Sequence, residues 1–337
     1  RSTLLASLEE NLKHPTVDIR DSAVAAMREF AASYMVGSNP AAGAKRLIVK
    51  LATTLREDPN PAARRGAALA LGVMPREMLF SSVPGFTADV DENTEEGSAP
   101  VEPEMIPAWR MALEALKAAS IPEEDVEARD ADARVCATKG MAGVLSQMAT
   151  NLIEDDYAAT SQAASEVISS LLTCMEDYCT DNRGDVGSWV REAAMEALPG
   201  AIAALQASGI ELVTGRCTTI VSALLKQCAE KIDRTRASAA TSLCAVLRGR
   251  ESAKLEPLPD VPGSEMLLKA APKEERLAAS WAVPISAYTA LTPLIVSGGS
   301  DPLAAYRADL IEGIVVSAGG VGDSLGKASG GALVATL

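Results

Sequence analysis

The sequence predicts an all-α solenoid, a superhelix of stacked antiparallel helix pairs, and three observations carry that reading. Hydrophobic residues make up 48% of the 337-residue chain and aromatic ones only 3%, so the core must be aliphatic, and Ala and Leu lose least on entering a helix. Apolar positions recur at helical spacing: Val167, Ile168, Leu171, Leu172 and Met175 form one stripe, and Trp189, Val190, Ala193, Ala194, Ala197 and Leu198 another. One short pattern, an arginine at the head of an Ala-rich helix that follows a turn and an apolar helix, returns along the chain.

The arginines of that pattern are Arg20, Arg64, Arg134, Arg191, Arg236 and, with a weaker match, Arg307, separated by 44, 70, 57, 45 and 71 residues. A HEAT unit is about 40 to 47 residues, so two gaps fit directly and the longer ones read as units with insertions. The class is therefore HEAT/armadillo-type. Two copies keep an acidic partner six residues ahead of the arginine: Asp185 before Arg191, within Asp185-Val-Gly-Ser-Trp-Val-Arg191, and Asp58 before Arg64. An Asp in the turn can accept backbone N–H groups at the start of the second helix while the arginine projects from its first turn. Stacked units are then expected to form a ladder of charge-assisted hydrogen bonds through Arg20, Asp58, Arg64, Arg134, Asp185 and Arg191. Small residues on the second helix allow close packing, and stacking buries both faces at about 1.5 to 3 kcal/mol per large aliphatic side chain.

Two regions are expected, 1–150 and 151–337. The first is interrupted near 87–104, where seven carboxylates and no basic residue predict an exposed acidic insertion. The second is interrupted near 249–262 by Pro257, Pro259 and Pro262, which mark a loop before the last helices. The C-terminus is rich in glycine.

Several chemistries are excluded by composition. A net charge of −14 opposes a phosphate backbone, so neither nucleic acid nor an anionic membrane surface is expected as a partner. Six cysteines (Cys136, Cys174, Cys179, Cys217, Cys228, Cys244) lie scattered, mostly in apolar helical stretches, as buried thiols of a reducing compartment do. Cys217 and Cys228 share a stripe with Val213, Ile220, Val221, Leu224 and Leu225. With one histidine, His14 in the turn Lys13-His14-Pro15, and no CxxC pair, no zinc site is expected. His14 has no nucleophile beside it in the sequence, and no catalytic residue or cofactor is expected. Gly320–Lys327 resembles a phosphate loop but lacks Gly at Val321 and Ser or Thr at Ala328. No apolar run reaches the ~18 residues of a membrane span. Arg1-Ser2-Thr3-Leu4 is not a signal peptide; the missing initiator Met points to a fragment whose targeting signal would lie upstream.

The segment from Asp177 to Met195, with its core Arg183-Gly-Asp-Val-Gly-Ser-Trp-Val-Arg191, resembles the most recognisable passage of the tubulin-folding cofactor D family. Four further stretches resemble it in the same order: Pro59–Gly72, Arg134–Gly140, Ala229–Ser238 and Tyr306–Gly320. The resemblance covers the family's C-terminal region. It implies a cytosolic, cytoskeleton-associated chaperone that binds β-tubulin and acts with α-tubulin, cofactors C and E and an Arf-like small GTPase. It implies too that the assembly stimulates GTP hydrolysis by tubulin, with the catalytic arginine assigned to cofactor C.

A curved stack of helix pairs offers a long surface for gripping a folded client. Candidate partner contacts are Arg183, Asp185, Trp189, Arg191, Lys231, Arg234 and Arg236, of which Arg183, Lys231 and Arg234 lie at turns or helix starts where basic groups would meet an acidic client. For Asp185, Trp189 and Arg191 a purely structural reading stands beside this one: ladder for the first and last, a filled core gap for the tryptophan. Two other functions remain open, a GTPase-activating surface that acts directly on tubulin through an arginine such as Arg183, and a general HEAT-repeat adaptor.

Overall fold

A computed structural model describes residues 2–36, 42–86, 104–126, 129–295, 301–319 and 322–335. The chain forms two compact units, residues 1–152 and 153–337. Fifteen α-helices and two short antiparallel ribbons are found among the described residues.

In the first unit three helix pairs follow one another. They are α1 (Ser2–Leu12) with α2 (Val17–Tyr34), α3 (Ala42–Glu57) with α4 (Pro61–Leu71), and α6 (Ala108–Ala119) with α7 (Ala131–Ala149), with the single turn α5 (Arg76–Leu79) between the last two pairs. First helices pack on first helices, α3 on α6, and second on second, α4 on both α2 and α7. Two of the three second helices, α4 and α7, are capped by a side chain. Asn60 accepts from Ala62 N at 3.0 Å with Pro61 at the first helical position, and Asp130 accepts from Ala133 N at 3.1 Å. The residues flanking the acidic insertion pair as a ribbon, Ser82–Pro84 against Met105–Pro107. The insertion itself, 87–103, lies outside the described residues.

Small residues do bring the second helices together. A Cβ on Gly140 would lie 2.5 Å from the Ala68 carbonyl oxygen, and one on Gly143 would lie 2.5 Å from that of Gly72. Those contacts are shorter than any tolerated by real side chains, so α4 and α7 approach at a distance that only glycine permits. The side chains around them, Ala67, Ala68, Leu71, Ala137, Met141 and Val144, are all buried.

In the second unit α8 (Tyr157–Cys174) pairs with α9 (Gly187–Ala207) and α10 (Thr214–Cys228) with α11 (Asp233–Arg248). Val167, Ile168, Leu171, Met175, Val190, Ala194 and Leu198 are buried as their spacing requires. So are Cys217 and Cys228 with Ile220, Val221, Leu224 and Leu225, whereas Val213, placed on the same stripe, precedes the first turn of α10 and is 72% exposed. Five of the six thiols are buried and all six are free.

Beyond α11 the regular alternation stops. The proline-rich stretch folds back through a bridge between Arg250 and Leu255 and buries Leu255, Leu258 and Val261. After α12 (Ser264–Ala270), a 3-10 helix over Glu275–Ala282 takes the place beside α11 that a second helix would fill. Following α13 (Pro284–Ile295), α14 (Ala304–Ala318) packs on α10, and α15 (Asp323–Val334) on α13 and α14. Arg307 thus heads a helix that lies against the first helix of the preceding pair, not the second. Within the phosphate-loop-like tail, Gly320 and Val321 lie outside the described residues and Asp323–Lys327 is helical.

Replacing Gly140 with Ala is expected to force α4 and α7 apart and lower stability by about 1–3 kcal/mol, as overpacking typically does. Chemical denaturation of the two proteins would show it as a lower midpoint.

Candidate functional site

The turn between α8 and α9 is twelve residues long and folds as a hairpin, Thr180–Asp181 against Gly184–Asp185. Two glycines make it possible for different reasons. Gly184 has a φ of 105°, a left-handed conformation open to few other residues. Gly187 has no such φ; it is needed because a Cβ there would lie 2.3 Å from the Asp177 carbonyl oxygen. Asp185, two residues before α9, accepts from Ser188 N in its first turn at 3.0 Å.

Arg191 is wholly buried beneath this turn. Its Nη1 donates to the Asp177 carbonyl at 2.5 Å and to Asp185 Oδ1 at 3.3 Å, its Nη2 to Asp185 Oδ2 at 3.1 Å and to Glu230 Oε2 at 3.3 Å, and its Nε to Gln227 Oε1 at 3.2 Å. The Tyr178 ring covers its guanidinium at 4.2 Å. Gln227 in turn donates to the Met175 carbonyl at 2.9 Å and to Tyr178 Oη at 3.1 Å. One arginine therefore binds its own turn to the end of α10 in the next pair. Arg236 does the same one pair on. Buried completely, it donates to the Glu230 and Lys231 carbonyls at 2.7 and 2.9 Å, to Asp233 at 2.5 Å, and to the carbonyls of Trp281 and Ala282 at 3.1 and 2.6 Å.

Beside these, Lys226 donates to Glu176 at 2.7 Å and pairs with Glu312 of α14 at 3.0 Å. Burial opposes its charge, but the two carboxylates outweigh burial and raise its pKa.

The other ladder residues are placed as follows. Arg134 is buried at the head of α7, with Nη1 3.6 Å from Glu123. Arg64 donates to Asp58, but to its backbone carbonyl at 3.1 Å; the Asp58 carboxylate accepts from Asn60 N instead. The carboxylate–arginine rung expected there is not formed, because a three-residue turn brings the peptide oxygen within reach first. Its counterpart is Arg65, one residue on, which grips Asp130 of the next pair at 3.0 and 2.6 Å. Arg20 is buried at the head of α2. Arg307 pairs with Asp301, a further Asp six residues before its arginine that the sequence reading missed. Gln227, Glu230 and Arg65 were also missed; their partners lie 36, 39 and 65 residues away in sequence.

The candidate contacts divide by burial. Arg191 and Arg236 have no exposed surface, so the contact role expected of them is withdrawn. Asp185 is spent on Arg191 and on the helix start. At the surface, Arg183 stacks over the Trp189 ring at 4.8 Å and binds Asp181 at 3.0 and 2.7 Å, which holds that carboxylate below its usual pKa range. Trp189 is half-buried and fills no core gap. Arg234 donates to Glu192 and Ser188, each at 2.8 Å. Arg183 and Arg234 are thus exposed and each paired with one carboxylate, Trp189 is half-buried beneath Arg183, and Lys231 is exposed at the turn before α11. Among the described residues no group of three or more His, Cys, Asp or Glu could hold a metal ion, and no helix is long and apolar enough to cross a membrane.

Residues 218–337 match the family of the tubulin folding cofactor D C-terminal region. This part of the chain is similar to a cofactor D C-terminal region. Among relatives, the chain is 34% identical over 93 residues to tubulin-folding cofactor D of Schizosaccharomyces pombe, a match covering 28% of this chain and 8% of that protein. It is 25% identical over 209 residues to tubulin-specific chaperone D of Dictyostelium discoideum, covering 58% of this chain and 12% of that protein. The chain thus matches about a tenth of the length of these relatives. A designed armadillo repeat protein aligns with 98% of this chain and 99% of its own at 12% identity, with a TM-score of 0.34, too low to bear on the argument. Lys231, Arg234 and Arg236 fall inside the matched stretch; Arg183, Asp185, Trp189 and Arg191 precede it.

Removal of the Asp185 carboxylate by Asp185→Ala would leave a buried guanidinium short of its closest carboxylate partner. Breaking such a pair costs about 3–5 kcal/mol, and thermal unfolding followed by circular dichroism should fall accordingly. A change within error would remove Asp185 from the ladder.

Proposed function

We propose that this chain is part of a tubulin-folding cofactor, a helical scaffold that holds β-tubulin and works with cofactors C and E, α-tubulin and an Arf-like small GTPase to assemble or take apart the αβ-tubulin heterodimer. The match of residues 218–337 to the cofactor D C-terminal region is the observation that carries this reading. A cytoplasmic, cytoskeleton-associated setting goes with it, as does a holding role without catalysis by this chain itself.

The exposed Arg183 and Arg234, with Trp189 beneath Arg183, support a contact surface in the second unit. An arginine already stacked on an indole presents a fixed cation and an apolar face together, which lowers the ordering cost of docking. In a chain of net charge −14, exposed arginines that can exchange their surface partners Asp181 and Glu192 for a client's carboxylates would favour an acidic client.

Arg183→Glu should weaken capture of β-tubulin by the purified chain about tenfold or more, equivalent to ~1.4 kcal/mol per decade, with little change in melting because the pair with Asp181 is exposed. Unchanged capture would take Arg183 out of the interface. Single-turnover GTP hydrolysis by tubulin separates holding from direct activation. It should be indifferent to Arg183→Ala if this chain only holds its client, and fall sharply if the arginine acts on the nucleotide.

A further inference from the structure

Of the buried arginines that head the second helices, Arg20 alone has guanidinium nitrogens without a hydrogen-bond partner and makes no ion pair among the described residues. It is 5% exposed, and neither its Nε nor its Nη1 has a hydrogen-bond partner. A buried cation with unmet donors is costly, and native proteins seldom keep one without a use.

The surroundings of Arg20 indicate what that use is. Its side chain lines an open groove of about 420 Å³ in the first unit, formed over α4 by the flanking helices α2 and α7. Arg65 and Lys139 line the same groove, against the carboxylates of Asp21 and Asp132. Arg65 is already neutralised by Asp130 and Asp132, which leaves Arg20 and Lys139 as the groove cations without an ion pair among the described residues. The three cations converge closely enough that all act on Cys136 between them. Burial pushes that thiol up to about 11, with Arg20, Arg65 and Lys139 pulling the other way. The remaining walls are aliphatic, from Val24, Leu69 and Val135 on three different helices.

We propose that this groove is a receptor for an acidic side chain carried by an extended peptide, whose carboxylate pairs with Arg20 and Lys139 while the neighbouring aliphatic side chains of the peptide lie against the groove walls. Two features favour a peptide carboxylate over phosphate. Two carboxylates of the groove would repel a dianion more strongly than a monoanion, and the aliphatic walls give a free anion nothing to bury. Among the described residues no hydrogen bond holds Arg20 Nε or Nη1, so these donors give up no partner by turning towards a ligand. This inference does not depend on the tubulin reading; its site lies in the other unit and is made of different residues.

The test is fluorescence anisotropy of the whole chain with a short fluorescein-labelled peptide of Glu interspersed with Leu and Ala, beside its Gln-for-Glu counterpart. The wild-type chain should bind the acidic peptide and not the neutral one. Arg20→Gln should weaken binding about tenfold or more, the loss expected when one charge-assisted pair goes, Lys139→Gln should weaken it less, and Arg20→Lys should retain part of it. The melting temperature of Arg20→Gln should hold or rise, since an unmet buried charge is removed. Equal affinity in Arg20→Gln and wild type would overturn the proposal. So would an equal loss in Arg28→Gln, an exposed arginine outside the groove, which would mark non-specific attraction. Displacement of the peptide by inorganic phosphate at lower concentrations than by unlabelled peptide would likewise overturn it in favour of a small-anion site.

Discussion

The structure rests on the cost of burying a guanidinium. An arginine presents five N–H donors and cannot be deprotonated, so wherever one is enclosed the chain around it must supply oxygen atoms from several directions. Arg191 draws them from a backbone carbonyl of its own turn, from Asp185 just before its helix, from Gln227 in the last turn of the next pair's first helix and from Glu230 just beyond it. Arg236 takes its oxygens from the turn at Glu230 and Lys231 and from the backbone of Trp281 and Ala282. Each satisfied arginine thereby fixes a turn and a neighbour at once. The aliphatic stripes supply the driving force for stacking but are indifferent to sliding; the directed bonds of these arginines set the register between pairs within the second unit.

That logic explains which parts of the architecture are legible in the amino-acid sequence. Helix positions follow from apolar spacing, because Val167, Ile168, Leu171 and Met175 can share a buried face in no other way. The heads of the second helices are visible through Arg134, Arg191 and Arg236, and Asp185 is visible as the acceptor for Arg191 because both belong to one local turn. What sequence spacing cannot show is whether an acceptor is a carboxylate or a peptide oxygen. Asp58 and Asp185 stand at the same distance from their arginines, yet the short turn at Asp58 presents its carbonyl and the long hairpin at Asp185 its side chain. Val213 fits a helical stripe on paper and falls outside the helix, because periodicity does not mark where the first turn begins. Burial of Arg191 and Arg236 is likewise a property of the stack, and an arginine next to a turn looks like a surface group until its neighbours are in place.

The same separation bears on the candidate contact surface. Basic residues of the second unit fall into two populations a few residues apart: Arg191 and Arg236 enclosed by oxygen, Arg183 and Arg234 at the surface with one carboxylate each. Substitution of the first kind alters folding, and substitution of the second alters charge and shape at the surface while the stack stands. Trp189 bridges the two. It is carried on the first turn of the helix that Arg191 anchors, and its ring meets Arg183 on the outer side. The stiffness of the buried network is therefore passed to the stacked pair of Arg183 and Trp189, so that an indole and a guanidinium are presented in a fixed relation without being themselves buried.

Arg20 shows why satisfaction of these arginines cannot come from the local turn alone. Its turn, from Lys13 to Thr16, is as short as the one that serves Arg236, and it too contains peptide oxygens. Yet the His14 side chain accepts from Thr16 N, closing the turn on itself, and among the described residues no backbone oxygen accepts from Arg20 Nε or Nη1. The difference between a structural arginine and an available one is thus made by what packs on the far side of the helix. In the second unit that side is filled by backbone; over α4 in the first it is an open groove in which Arg65 is already held by Asp130 while Lys139 stands nearby. A ladder built by repeating one motif leaves a cation over wherever a rung has no neighbour, and such a cation is the residue free to meet something else.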